Sequence, residues 1–205
     1  PNRMGEYVGR VLYMEDGNRL RTISLTMVSS ISQLLITLLM GLIGLIVLLP
    51  VLKKSDMVAG IDSSLWLQVI IYGVAAVLLI LTLFYFRLGM ITRLFEKFSG
   101  SGKYIYLVKA LEDVHATLLL RLLSLSLLRF AVFCVQYYLL FRLFDTGIGW
   151  WQSSWSVTLA FLVLAVIPSF AIAELGIRGR INLKILGLFS ANHLGITIAT
   201  VSVWL

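Results

Sequence analysis

One cysteine, three prolines, two histidines and ten acidic residues are all that this 205-residue chain holds of those types. The lone Cys134 excludes an internal disulfide, and its apolar neighbours mark it as a packing residue. Two isolated histidines and scattered acids make no cluster at metal-ligand spacing. The chain also lacks a glycine-rich phosphate loop, a nucleophile elbow and any stretch polar enough for a soluble catalytic domain. No metal, cofactor or catalytic residue is therefore assigned, and no enzyme activity is expected of this stretch of sequence. A charged start, short apolar core and small-residue cleavage site, the pattern of a signal peptide, are missing as well.

Charge of either sign is scarce. Only 13% of residues are charged against a usual quarter or so, while 60% are hydrophobic and the mean hydropathy is +0.97. The apolar residues fall in long runs rather than amphipathic stripes, so the composition predicts an all-α, polytopic transmembrane helix bundle forming a single domain over 1–205. Four spans are expected: Ile23–Leu49 closed by Pro50, Leu65–Phe86, Leu118–Leu143, and Trp151–Ile167 closed by Pro168. A weaker apolar pattern near 186–205, interrupted upstream by Lys184 and within by Ser190, Asn192 and His193, reads as a short re-entrant helix followed by part of a fifth span. The sequence opens on Pro1 and stops within the apolar stretch Leu194–Leu205, whose twelve residues would cover about 18 Å as a helix against a hydrocarbon core of about 30 Å. That predicts a fragment of a larger bundle.

Lys and Arg set the expected orientation. The 87–117 connection and the start of the third span hold Arg87, Arg93, Lys97, Lys103, Lys109 and Arg121, which places that connection in the cytoplasm. The 50–64 loop and the 144–150 turn then lie outside, and localisation in a cell inner (plasma) membrane is expected. A net charge of +7 favours anionic headgroups and so membrane lipids as partners. No basic patch stands free of the membrane segments, so nucleic acid is not an expected partner. Met90–Phe98 is amphipathic and suits the interface.

Two phrases resemble each other. Pro1-Asn2-Arg3-Met4-Gly5-Glu6-Tyr7-Val8-Gly9-Arg10 and Pro168-Ser169-Phe170-Ala171-Ile172-Ala173-Glu174-Leu175-Gly176-Ile177-Arg178 each join a proline to Glu and Arg four residues apart, on one helix face. Their glycines predict that Pro1–Val11 and Pro168–Arg180 are short helices or broken turns that enter the membrane without crossing it. An acid–base pair at such depth is a candidate site; the alternative is a helix-orienting pair at headgroup level. Arg129 lies near the centre of the third span, with Gln136 seven residues on and Ser126 and Phe133 on the same stripe. It requires a carboxylate, carbonyls or an anionic ligand. In the first span Thr26, Ser30, Gln33, Thr37, Gly41 and Gly44 form a small, polar face, either for helix packing or for lining a polar groove around Gln33. The candidate headgroup-binding residues are Glu6, Arg10, Gln33, Arg129, Gln136, Glu174, Arg178 and Arg180.

The opening Pro-x-x-x-Gly-Glu-x-x-x-Arg and the later Pro168…Gly176-Ile177-Arg178 resemble the two motifs of the lysylphosphatidylglycerol synthase transmembrane region, a family of flippase-like integral membrane proteins. The chain departs from the family pattern at Gly179, where a Glu usually stands, and at Ala171 and Ile172 in place of a glycine pair. The resemblance implies binding and translocation of an anionic or lipid-linked headgroup between leaflets. Two alternatives stay open: the membrane half of an aminoacyl-phosphatidylglycerol synthase, and a scaffold for an envelope glycosyltransferase. Homo-oligomers or an envelope-biosynthesis enzyme are the expected protein partners.

Overall fold

The computed structural model describes residues 19–54, 63–87, 116–166 and 171–203. Among them are six helices and no strands: α1 Arg19–Lys54, α2 Ser63–Phe86, α3 Ala116–Leu143, α4 Trp150–Val166, α5 Ala171–Leu186 and α6 His193–Ser202. The fold is an all-α bundle. Three helices, over Leu25–Lys54, Leu65–Phe86 and Thr117–Leu143, are long and apolar enough to cross a membrane. A helix satisfies its backbone donors and acceptors internally, which lipid requires. The second of these spans is exposed along nearly its whole length, as an all-round apolar helix facing lipid should be.

The described residues form two compact units. The smaller combines α1 up to Ile36, α2 from Leu78 and α3 up to Leu127. Its core is Val28, Leu35, Tyr85 and Leu119, flanked by Ile31, Leu78, Leu81, Leu122 and Leu123. One polar clamp crosses that core. The Tyr85 hydroxyl lies 2.6 Å from Ser32 Oγ and donates to the Leu119 carbonyl at 3.0 Å, while Ser32 Oγ also reaches the Val28 carbonyl at 2.8 Å. With one proton per hydroxyl, two of these three contacts are filled at a time, and α1, α2 and α3 are tied at one point.

The larger unit holds the rest of α1, α2 and α3 together with α4, α5 and α6. Here the small face of α1 packs: a Cβ at Gly41 would come 2.5 Å from Leu162 Cβ, and one at Gly44 would collide with Thr158 Oγ1 and lie 3.2 Å from the Trp155 carbonyl. Of the two readings of this face, packing accounts for both glycines. Phe161 of α4 sits among Phe130, Phe133 and Tyr137 of α3, with ring centroids 5.7, 6.1 and 6.1 Å away, in tilted or edge-on arrangements. The α3–α4 turn, with positive φ at Asp145 (45°) and Gly147 (71°), is stitched to the α5–α6 turn. Ser190 Oγ donates to the Thr146 carbonyl at 2.5 Å, and Asn192 Nδ2 donates to the Phe144 carbonyl at 3.1 Å. Asn192 Oδ1 also accepts from Gly195 N at 2.9 Å, capping α6.

One expected break is absent, and one segment takes the continuous of its two expected forms. α1 runs through Pro50 to Lys54, because a proline one turn from a helix end disturbs only its last bonds and Lys53 and Lys54 suit a C-terminus. α5 is continuous through Gly176 and Gly179. Each glycine weakens a helix by about 1 kcal/mol, and packing of α5 against both α4 and α6 offsets that. Pro1–Val11 and Met90–Phe98 lie outside the described residues.

Tyr85→Phe should lower stability by about 1 kcal/mol through the loss of the Leu119 bond, and Tyr85→Ala by about 3–5 kcal/mol through the cavity, both read as thermal unfolding in detergent. Gly44→Ala should cost about 1–3 kcal/mol by forcing α1 off α4. Gly73→Ala, where an added Cβ meets nothing within 4 Å, should instead stabilise by about 0.5–1 kcal/mol in the same assay.

Candidate functional site

Of nine buried polar or charged side chains among the described residues, six lie on the last three helices: Ser153, Ser156, Thr158, Arg178, Asn182 and Thr200. Two of them are satisfied by their own helix, Thr158 Oγ1 donating to the Trp155 carbonyl and Thr200 Oγ1 to the Ile196 carbonyl, both at 2.8 Å. Three are not. Ser153 Oγ, Ser156 Oγ and Asn182 Oδ1 are buried without a hydrogen-bond partner in the protein.

Helical spacing and the turn contacts place these three at a similar level along α4 and α5. On α4, Thr158 and Leu162 face the α1 glycines and Phe161 faces the α3 aromatics. Ser153 and Ser156, three apart, lie on the side away from both, yet they are fully buried. α5 is the helix that packs on α4 from the end of the chain. On α5 the buried side carries Arg178 and Asn182, four apart, while Arg180 and Lys184 are exposed. The stitched turns fix the level: α4 begins at Trp150 and α5 ends at Leu186, beside the Thr146–Ser190 bond. At 1.5 Å per residue, Ser153 and Ser156 lie about 4–9 Å into α4 and Asn182 about 6 Å before the end of α5.

Exposed aromatics stand at this end of the unit. Trp150 and Trp151 are exposed at the start of α4, with Tyr138 5.0 Å from Trp150 and Trp155 5.2 Å from Trp151 between ring centroids. Such rings sit at headgroup level. The hydroxyls and amide lie within about two turns of the ends of α4 and α5 that carry these rings and the stitched turn, and Arg178 is about 6 Å from Asn182 along α5.

Arg178 is the buried cation of this set, 5% exposed. Of the other sequence candidates, Arg180 is exposed on the opposite side of α5. Arg129 is half-buried, its guanidinium carbon 5.6 Å from the centroid of the Phe133 ring one turn along α3, so a ring face takes up part of its charge. Gln136 is exposed and Gln33 half-buried. Glu174 is the fourth residue of α5, one turn before Arg178; its side chain, like Glu6 and Arg10, lies outside the described residues. Among the described residues no three His, Cys, Asp or Glu stand together as a metal site.

Ser153, Ser156 and Asn182 were not among the residues singled out from sequence. The available signal was their spacing, Ser at three apart and Arg–Asn at four apart on neighbouring helices, but nothing in the sequence alone says that the serine face of α4 is covered.

No protein-family model, curated protein or solved structure matches the chain.

An unpartnered buried hydroxyl costs about 1–3 kcal/mol, so removing one should relieve that cost. Ser153→Ala and Ser156→Ala are each expected to raise stability by about 1 kcal/mol, seen as a higher midpoint of thermal unfolding in detergent.

Proposed function

We propose that the chain is a multi-pass protein of the cell inner membrane that takes an anionic or lipid-linked headgroup into the polar interior of α4–α6 and moves it between leaflets. The observation that carries this reading is Arg178, buried on a helix packed between two others in a protein composed for lipid. A cationic side chain at membrane depth costs at least ~3 kcal/mol, and selection keeps it where a partner of opposite charge uses it. A guanidinium matches a phosphate in two parallel hydrogen bonds, and α5 also carries the Glu174…Gly176-Ile177-Arg178 part of the phrase on which the flippase-like resemblance rests. Arg129, stacked on Phe133, is the second cation available within the membrane helices. Basic residues of the 87–117 connection orient that side to the cytoplasm and draw anionic lipid toward it.

The test is translocation of a fluorescent anionic phospholipid in vesicles reconstituted with the protein. Arg178→Gln is expected to slow transfer at least tenfold, with Arg178→Lys retaining part of it. An Arg178→Gln rate equal to wild type would overturn the reading.

A further inference from the structure

The outward side of α5 is charged where the exposed surface of its neighbours carries Trp150, Trp151, Val166, Leu194 and Ile198. Gly176, Arg180 and Lys184 are exposed and recur every four residues, so they form one stripe on the side away from Arg178 and Asn182. The other exposed cations described in the larger unit, Lys53, Lys54 and Arg142, stand in the last turns of α1 and α3, where a snorkelling side chain reaches the headgroups. Lys184 shares that kind of place, in the last turn of α5; Arg180 does not. α5 runs back along α4, whose 17 residues hold no charge, and its own 16 residues span about 24 Å against a hydrocarbon core of about 30 Å. Arg180 lies about 2 Å from the midpoint of α5. Helical side chains lean toward the N-terminus, here away from the nearer end at Leu186, so snorkelling fails for this one. Among the described residues no carboxylate pairs with it.

A cation so placed requires a counter-charge delivered at mid-depth. Lipid phosphates sit about 15 Å away at headgroup level, whereas a membrane helix holds a carboxylate at whatever depth its sequence sets. A second copy meeting this stripe face to face would set cation against cation. Glu174 does not relieve that, because two residues before Gly176 is another side of the helix. Gly176 supplies the room for a partner: a Cβ there would meet nothing within 4 Å, so a foreign backbone can come close one turn from Arg180. We propose that the Gly176–Arg180–Lys184 face of α5 docks a transmembrane helix of a different protein, one that carries Glu or Asp at two positions one turn apart. The carboxylate opposite Arg180 takes two parallel hydrogen bonds from the guanidinium, and the second meets the Lys184 ammonium. This surface is on the side of α5 opposite Arg178 and does not depend on the headgroup reading.

The probe is a synthetic transmembrane helix of leucine and alanine with two central glutamates four residues apart, carrying a fluorescence acceptor. The full chain, donor-labelled on an appended tag, is reconstituted with it in phosphatidylcholine vesicles, and association is read as energy transfer. The glutamate helix should associate about tenfold more tightly than the same helix with glutamines in their place. Arg180→Gln combined with Lys184→Gln should bring that ratio close to one without lowering the unfolding temperature, since both side chains are exposed. Gly176→Leu, which keeps both charges, should also weaken the glutamate helix by blocking its close approach. Equal affinity for the two helices, or a preference that survives the loss of both cations, would overturn the proposal. Displacement of the glutamate helix by phosphatidylglycerol added to the vesicles would overturn it as well and assign the face to lipid.

Discussion

Helices in lipid gain little from hiding apolar surface against each other, because the acyl chains they displace are as apolar as leucine. What holds them is close approach and the few polar contacts that approach permits. In the larger unit the approach is supplied by Gly41 and Gly44, where no side chain separates α1 from the Thr158–Leu162 ridge of α4. In the smaller unit it is supplied by Ser32 and the Tyr85 hydroxyl, which convert one helix triplet into a defined register. The leucines around both points fill volume and set no register by themselves. The arrangement of the remaining helices in the larger unit follows from this: α4 is fixed by α1 on one side and by the aromatics of α3 on another, so only its serine face is left for α5.

That leftover face is where the protein departs from economy of stability. A fold concerned only with packing would place alanine or leucine at 153, 156 and 182, since an apolar side chain there loses no hydrogen bond. Instead the chain keeps hydroxyls and an amide beside a buried arginine, close to the level marked by Trp150 and Trp151. These polar groups are kept at a cost in stability that packing alone does not explain. The stitched turns fix their level. Ser190 and Asn192 hold the α5–α6 turn to the backbone of residues 144 and 146, which keeps Asn182 level with the serines instead of letting α5 slide along α4.

Much of the architecture was legible in the runs of apolar residues. The cores of the helices at 65–86, 118–143 and 151–166 are uninterrupted by charge except for the arginines of α3, and lipid leaves a long apolar run only the helix. The glycines of α1 were legible as one face through their three- and four-residue spacing. A short helix was one of the two readings of Pro168–Arg180, and what favours it over a broken turn was not legible. Pro168, Gly176 and Gly179 are local signals for a break, whereas the contacts that keep the helix whole come from α4 and α6, elements distant in sequence whose faces no local pattern reveals. The site was read in part. Arg178 stood out by charge, but Arg129, equally prominent in the sequence, turned out to be stacked on Phe133, a neighbour at helical spacing that takes up some of its need for a partner. Gln136, one stripe with Arg129 by its number, is exposed, because seven residues return to a face only approximately and α3 is covered on one side alone.

Serines in membrane helices are ambiguous from sequence for a physical reason. Their hydroxyl can bond the carbonyl one turn back, as Ser30 does to Thr26 and Ser32 to Val28, and such a serine is chemically quiet. Ser153 and Ser156 do not do this: their hydroxyl oxygens find no carbonyl, on their own helix or on another. The difference lies in the side-chain rotamer and in what stands opposite, neither of which composition encodes. It is also what separates the two faces of α4. Thr158, facing the α1 glycines, turns its hydroxyl back to the Trp155 carbonyl and lets a backbone approach; the serines facing away from α1 keep theirs available. On this helix Thr158, on the side the α1 glycines occupy, is satisfied by its own backbone, while Ser153, Ser154 and Ser156 leave their hydroxyls without a partner.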